Sequence, residues 1–443
     1  MMAVVPRAVS QEKGTMELRI KEVSEQVGVP ASTIRFWEKE FGQHLRPRKT
    51  GGGQRRYAVK DIATIKRIKD LVYRDKLSLD EARVILAEES NGGSAPIDWS
   101  RATVLITGGT GSFGKHFCRY LLDRLDPKAI RVYSRDELKQ HEMRIEFHDD
   151  PRLRFLIGDV RDVDRLRRAM EGVDYVVHAA ALKQVPACEY NPFEAVKTNI
   201  NGAQNVIDAA LDSGVRKVIA LSTDKAVNPV NLYGSTKLCS DKLFVQGNAY
   251  AGAKKTRFAC VRYGNVIGSR GSVIPVFLKQ RENGRITITD KRMTRFWITL
   301  DQAVELGLKG FRYLEGGEIF VPRIPSMQIM DLARAIAPDC AIDHIGIREG
   351  EKLHEALTGE DEGRHTYQYE DMYVIMPDSY KWWRRRNYKE AVKMPDGFVY
   401  TSDINDNWLT VEQLREIVFT PQTEPAETSP IEQEPEAMPP AAR

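Results

Sequence analysis

Between residues 99 and 420, six apolar stretches alternate with amphipathic ones, a pattern that predicts an α/β fold built on a doubly wound parallel sheet. A second observation is the short, basic, helix-rich pattern at residues 16–88, and a third is the polar stretch "EESNGGSAP" that separates the two. With 443 residues the chain exceeds one compact core. The division expected is a small, mainly helical domain at 16–88, a linker at 89–98 and the α/β domain at 99–420. The last of these should carry a smaller C-terminal subdomain for substrate, and a disordered Pro/Glu-rich tail should fill 421–443.

Composition narrows the function classes. Cys118, Cys188, Cys239, Cys260 and Cys340 lie far apart with no C-x-x-C pair, which fits reduced thiols and neither a zinc site nor a disulfide framework. The start, "MMAVVPRAVSQEKGTM", lacks the apolar core of a signal peptide, and no run of about eighteen apolar residues follows. A cytoplasmic protein without membrane or metal partners is expected.

In the first domain, "LRIKEVSEQV" sets Ile20, Val23 and Val27 on one helical face, and Gly28 supplies a tight turn. A second helix, "ASTIRFWEKEF", follows with Ser32 as its cap, giving a helix-turn-helix. Next come a Gly-centred hairpin in "LRPRKTGGGQRRYAVKDI" and two short helices in "TIKRIKDLVYRDKLSLDEARVILAE". From Arg46 to Arg74 ten Lys/Arg face two Asp, a charge suited to a phosphate backbone, although a solvated docking face would also carry it. The segments "IKEVSEQVGVPASTIRFWEKE", "RPRKTGGGQRRY" and "VKDIATIKRIKDLV" resemble the MerR-type winged helix-turn-helix. That resemblance implies a recognition helix over Ser32–Lys39 in the DNA major groove, with Thr33 and Arg35 near bases or phosphates. Arg55, Arg56 and Tyr57 would grip phosphates from the wing. The long dimerising helix usual in that family does not follow, so pairing falls to the large domain, and a homo-oligomer is expected.

The α/β domain opens with "TVLITGGTGSFGKHFCRYLL", a strand, a Gly-rich turn and a helix, with Gly108, Gly111 and Gly114 in G-x-x-G-x-x-G spacing around Ser112 and Phe113. Such a Rossmann-type turn lets a pyrophosphate approach the helix N-terminus, though Gly-rich turns also merely connect elements. The second strand, "IRVYSRD", ends in Ser134 and Arg135, with Lys139 a turn later, where an NAD enzyme places an acid for the ribose; these residues favour the 2′-phosphate of NADP. Asp159 and Val160 follow the third strand, "LRFLIGDV", at the expected adenine position, where a plain turn Asp is the alternative. Ala179 and Ala180, after the fourth strand "VDYVVHAAA", and Asn199 complete the cofactor set.

The fifth strand, "KVIALSTD", places Thr223, Asp224 and Lys225 at its carboxyl end, the edge where such sheets bind ligands. Tyr233 and Lys237 sit one helical turn apart just beyond. Tyr and Lys both titrate near 10 when free, and an ammonium together with a positive nicotinamide lowers the Tyr into a usable base for alcohol oxidation. Alone, the pair is better explained as two chance surface residues; after a Gly-rich turn and a strand the balance reverses. Asp224 and Lys225 exceed the needs of a plain dehydrogenase. A base can take the acidified proton beside a new ketone, and an acid can protonate the next hydroxyl as it leaves. Return of the hydride then makes the net change a loss of water. A strand-end ion pair is the plain alternative.

"TGGTGSFGK", "YSRDELKQ", "GDVRD", "HAAALKQVPACEYNPFEAVKTNINGAQNVIDAA", "LSTDKAVNPVNLYGSTKL", "RYGNVIGSRGSVIP", "MTRFWI" and "REGEKLHE" resemble the extended short-chain dehydrogenase/reductases. Within them the match is to the inverting UDP-N-acetylglucosamine 4,6-dehydratases that open the pseudaminic acid pathway, over residues 99–419. The resemblance implies Thr223 near the oxidised oxygen, Asp224 as acid for the departing hydroxyl and Lys225 as base at C5. Tyr233 would take the C4 hydroxyl proton, and Lys237 would hold the ribose and tune Tyr233. Retaining membrane-bound relatives tend to carry Met in place of Tyr233, so inversion at C5 is implied. Lys183, Asn265, Arg295 and Arg348 are implied UDP-sugar contacts, Arg295 because a guanidinium fork suits a diphosphate. Glu349 departs from the more frequent Pro of R-P-G-E-K. The competing expectation is a transcription regulator whose enzyme-like domain senses NADP or a nucleotide sugar.

Overall fold

The computed structural model describes residues 18–74 except 43, 51 and 52, then 79, 82, 83 and 86, and 97–268, 272–377, 388 and 390–420. The expected linker up to residue 96, the tail 421–443 and the segment before Leu18 lie outside the described residues. By internal contacts the chain divides into two compact units, one of residues 1–263, 301–323 and 357–399, the other of 264–300, 324–356 and 400–443.

The first unit begins with helices α1 (Ile20–Val27) and α2 (Ala31–Glu40), the antiparallel pair β1 (Arg48–Lys49) and β2 (Arg55–Arg56), and α3 (Val59–Lys69). Gly28 ends α1 at φ +67°, its N–H reaching the Ser24 carbonyl, a conformation that glycine adopts without strain. The start of α2 departs from expectation. Pro30, not Ser32, is the cap residue, no side chain caps the helix, and Ser32 lies inside the first turn. Proline's fixed φ, here −53°, leads the chain into the helix, but it supplies no acceptor for the first-turn N–H groups. Val23, Val27, Ile34, Trp37, Phe41, Ile62, Ile65 and Ile68 close a core of their own with Tyr57.

The same unit continues with β3 (Thr103–Thr107), α4 (Ser112–Arg124), β4 (Ala129–Ser134), α5 (Glu137–Glu146), β5 (Leu153–Ile157) and α6 (Val163–Met170). It then runs through β6 (Tyr175–His178), α7 (Gly202–Asp212), β7 (Lys217–Leu221), α8 (Leu232–Ala251) and β8 (Arg257–Val261). All six strands pair in parallel in the order β5-β4-β3-β6-β7-β8, so the winding reverses between β3 and β6. Every residue of β3 and β6 is buried, as a sheet covered on both faces requires. Beyond β8 the sheet gains Ile319–Pro322 in parallel, then the antiparallel strands Met372–Ile375, Thr366–Tyr369 and Val392–Lys393.

The smaller unit holds a three-stranded sheet of Asn265–Val266, Thr294–Ile298 and Ser326–Gln328, and a parallel pair of Arg285–Ile288 with Ala341–His344. Helices Val273–Arg281, Ile329–Ile336 and Val411–Phe419 pack there on a core that includes Phe277, Ile286, Trp297, Leu332, Ile336 and Leu414. Among the described residues no helix is long and apolar enough to cross a membrane, and no cluster of ligating side chains could hold a metal ion. The five cysteines are unpaired.

Candidate active site

At the point where the winding reverses, Gly108 ends β3's turn at φ +67°, and Gly111 leads into α4. A Cβ on Gly108 would stand 2.8 Å from the Ala180 nitrogen, and one on Gly114 would stand 2.5 Å from the Gly109 Cα. Only glycine lets the turn close this tightly, which leaves the unpaired N–H groups of Ser112, Phe113 and Gly114 at the head of a thirteen-residue helix. That cradle fits the pyrophosphate of a dinucleotide. Thr107 fixes the opposite lip: its carbonyl accepts from Ala179 N at 3.1 Å and its hydroxyl oxygen from Ala180 N at 3.3 Å.

At the end of β4, the Ser134 hydroxyl accepts from Gln140 at 3.0 Å, and Lys139 pairs with Asp136 at 2.8 Å. Arg135 lies 3.5 Å from Asp159, which also takes a two-pronged bond from Arg161 at 2.9 and 2.7 Å. Burial would raise the Asp159 carboxyl, but Arg161 and then Arg135 outweigh it and hold the group below the usual carboxylate range. Val160 is buried beside it. Asn199 is fully engaged within the protein: its amide accepts from Leu182 N and donates to Leu182 O, both at 2.9 Å, and donates to Thr236 Oγ1 at 3.0 Å. It clasps the loop after β6 to α8, in contrast to the cofactor contact expected of it.

Beyond β7, Thr223 opens a single 3₁₀ turn over Asp224–Ala226. Asp224 is fully buried; its Oδ1 accepts from Thr223 Oγ1 at 2.8 Å and Lys225 Nζ at 3.1 Å, and its N–H donates to the Tyr263 carbonyl at 3.2 Å. Its Oδ2 is buried and has no hydrogen-bond partner among the described residues. Tyr233 sits at the start of α8, packed on Cys188 and Ala195. Burial pushes its phenol up to about 12, against the Lys225 ammonium and a hydrogen bond with Thr223, while Asp224 adds to the rise. Lys237 donates to the Leu221 carbonyl at 2.7 Å, and the Lys225 ammonium joins the groups that act against the rise of Tyr233. Burial and then the repulsion of Lys225 hold Lys183 below the ordinary lysine value.

Two supports of this site lie inside the matched segments but were given no role from the sequence. Gly234 lets α8 approach the turn so closely that a Cβ there would overlap the Lys225 carbonyl oxygen. Glu189 accepts the Leu232 N–H at 2.6 Å, and Asn231 accepts that of Gly234 at 2.8 Å, so a carboxylate and an amide hold the first turn of α8. The Y-G and C-E-Y stretches were visible in the sequence, but only the backbone path shows what they touch.

The remaining substrate candidates lie in the smaller unit. Asn265 is paired in register with Trp297, its Oδ1 buried and unpartnered among the described residues. Arg295 does not present the expected fork: Nη1 donates to the Thr294 and Leu353 carbonyls at 2.7 and 3.0 Å, and Nη2 to Lys352 O at 3.0 Å. These carbonyls occupy the donors a diphosphate would need. Arg348 is exposed, 3.9 Å from Glu351.

In the winged region Arg35 is exposed and Thr33 half-buried on α2. Tyr57 cannot grip a phosphate from the wing, because its ring is fully buried in the core and its hydroxyl donates to Glu38. Arg55 is held by the same carboxylate at 2.6 Å, so Glu38 ties wing to recognition helix, while Arg56 is only half-buried.

The reversed winding, the glycine cradle at the reversal and the Tyr233/Lys237 helix after the fifth parallel strand define a short-chain dehydrogenase/reductase of Rossmann type. Residues 104–377 match the family model of polysaccharide biosynthesis proteins, and the chain belongs to that family. An inverting UDP-N-acetylglucosamine 4,6-dehydratase of Campylobacter jejuni subsp. jejuni is 54% identical over 329 residues, covering 72% of this chain and 98% of the relative. A UDP-glucose 4-epimerase of Rickettsia conorii is 43% identical over 334 residues, 72% of this chain and 95% of its own. Among solved structures, Pen from Bacillus thuringiensis superposes with a TM-score of 0.66 at 40% identity, over 73% of this chain and 99% of that one. DesIV, a dTDP-glucose 4,6-dehydratase from Streptomyces venezuelae solved with NAD and TYD, gives 0.51 at 25% identity over 57% of this chain and 86% of its own. Residues 18–89 match the model of MerR helix-turn-helix regulatory proteins.

Proposed function

We propose that this chain removes water from UDP-N-acetylglucosamine across C5 and C6 after oxidation at C4, with inversion at C5, giving UDP-2-acetamido-2,6-dideoxy-L-arabino-hexos-4-ulose. The observation that carries this is the buried Asp224, one oxygen engaged by Thr223 and Lys225 and the other unpaired beside the Tyr233 turn. A 4-epimerase acts on the C4 hydroxyl alone and gives such a carboxyl no task, whereas a dehydratase needs an acid for the departing hydroxyl.

A bound nicotinamide cofactor supplies the hydride acceptor and donor and, when oxidised, a positive charge. The Gly108–Gly114 turn would hold its pyrophosphate, and Ser134, Arg135 and Lys139 would hold the 2′-phosphate that distinguishes NADP. Tyr233 takes the C4 hydroxyl proton; burial alone would keep its phenol protonated, so its ionisation depends on Lys225, Thr223 and any further positive charge. Lys225 passes its ammonium proton to Asp224 across the 3.1 Å bond between them and, so freed, removes the C5 proton made acidic by the C4 ketone. Asp224 protonates the C6 hydroxyl as it leaves. Lys183 and the smaller unit's Asn265, Arg295 and Arg348 are the proposed contacts to the UDP-sugar, Arg295 after exchanging carbonyl partners for phosphate oxygens. The product suits the pseudaminic acid route, the setting is the cytoplasm, and the large domain pairs the chain into a homo-oligomer. The N-terminal domain is proposed to bind DNA.

Turnover followed by NMR in deuterated water, with purified protein and UDP-N-acetylglucosamine, tests the reading. A 4-keto-6-deoxy sugar with deuterium at C5 and L-arabino configuration supports it. An epimerised sugar, or no product with NADP added, defeats it.

A further inference from the structure

The groups of the proposed site hang on three stretches of backbone: the end of β7, the first turns of α8 and the end of β8. A buried charged chain joins all three from behind. Ser222, one residue before Thr223, donates its hydroxyl to Asp241 Oδ2 at 2.6 Å. Asp241 lies on α8 one turn beyond Lys237. Arg262, one residue before Tyr263, donates Nη2 to the same Asp241 oxygen at 3.2 Å and to Glu362 Oε1 at 3.1 Å. Its Nη1 donates to Glu362 Oε2 at 2.8 Å and to the Leu357 carbonyl at 3.1 Å. The Arg262 and Asp241 side chains are 0% and 2% exposed. The bond from Asp224 N–H to Tyr263 O closes the circuit on the catalytic turn itself.

Stability alone does not call for these charges. Desolvating a buried ion pair offsets most of its attraction, and apolar packing of equal volume often serves as well. What the charges add is direction, because a guanidinium fork fixes two carboxylates in one plane where apolar contacts leave rotation free. We propose that Ser222, Asp241 and Arg262 are positioning residues that hold the Thr223–Lys225 turn in register with Tyr233 and Lys237. The assignment rests on the dehydratase reading. The network also sets the field around Lys237: burial there disfavours the ammonium, and Asp241 on α8 and Cys260 on β8 oppose that effect. His178 on β6, facing the same lysine, is kept neutral by burial and by Lys237.

Full-length wild type, Ser222→Ala and Asp241→Asn are compared by turnover across pH, by NADPH fluorescence titration and by thermal unfolding. Asp241→Asn keeps the side chain's shape and removes its charge. It should lower kcat about tenfold or more with KM for the UDP-sugar little changed. The alkaline limb of kcat should move about one unit to lower pH, because Lys237 loses the carboxylate that favours its charged form. NADPH should bind several-fold more weakly. Ser222→Ala, which leaves every charge in place, should lower kcat several-fold at an unchanged unfolding temperature. Unchanged kcat, pH limb and NADPH affinity in both variants overturn the network. If Asp241→Asn does not fold, Ser222→Ala decides by the same readouts. Wild type that forms no dehydrated product defeats the dehydratase reading instead, and NADPH affinity of the variants then decides the network.

Discussion

Asp224 and Lys225 are neighbours in sequence and partners in space, yet the chemistry proposed for them separates cleanly. Asp224→Asn preserves the size and the bond to Lys225 but leaves no proton for the departing hydroxyl. Its kcat for water loss should fall about 10²- to 10⁴-fold, while deuterium from solvent still washes into C5 of bound sugar in an NMR time course. Lys225→Met should abolish both signals, so C5 exchange in that variant would reassign the base. Gly234 offers a steric check on the same turn. An added methyl overlaps the Lys225 carbonyl, so Gly234→Ala should depress kcat at least as strongly as it lowers the unfolding temperature. The grouping of Thr223, Asp224 and Lys225 with Tyr233 was legible because strand-end residues of a parallel sheet face the ligand edge. The backbone partner of Lys237 was not, since i,i+4 spacing sets Lys237 beside Tyr233 on the helix but says nothing of the Leu221 carbonyl that accepts from it. Arg295 escaped for a similar reason: a guanidinium's partners are backbone carbonyls brought in by residues 352 and 353, distant in sequence.

Strands β3 to β8 were legible as elements because each is short and rich in branched or aromatic apolar residues, with β3 and β6 buried throughout. The smaller unit was not, because three separated segments build it from strands of two to five residues, too short to show a period. In the larger unit, Glu318 at the entry to strand Ile319–Pro322 shows what burial does to a charged group. Its buried carboxylate accepts from Glu315 N and Gly316 N at 3.0 and 2.8 Å, and burial, followed by the Glu315 charge, pushes it up to about 7. It therefore titrates higher in the folded chain than in the unfolded one. Stability falls as pH rises from about 4.5 to about 7, by up to about 3 kcal/mol, and is unaffected by this group below that window. Lys217, lowered to about 8 mainly by burial and raised in part by Glu318, keeps the effect below that limit. Glu318→Gln should gain unfolding temperature relative to wild type on going from pH 5 to pH 8, as followed by circular dichroism. A constant difference across those pH values would place the titration elsewhere.

At the scale of the whole molecule, a MerR-like domain and a nucleotide-sugar enzyme share one chain, and the described part of the N-terminal domain shows how its charge is divided. Arg55 is bound to Glu38 and serves the wing's attachment, whereas Arg48 and Lys49 on β1 are exposed and Arg56 on β2 is half-buried. Phosphate contacts should therefore come from Lys49 and Arg56, and Arg55→Ala should act mainly through the fold. In full-length protein, Arg56→Ala should weaken binding to all DNA sequences alike and reduce the slope of log affinity against log salt by about one for each protomer engaged. A change of about two would mean that a dimer places both wings on the duplex, and selection from a random DNA pool should then recover inverted repeats, since the two-fold of the pair must match that of its site. Single half-sites would mean that each protomer binds alone. Retention of all sequences equally, with no enrichment, would leave the basic face as a docking surface and remove DNA recognition from the proposed function.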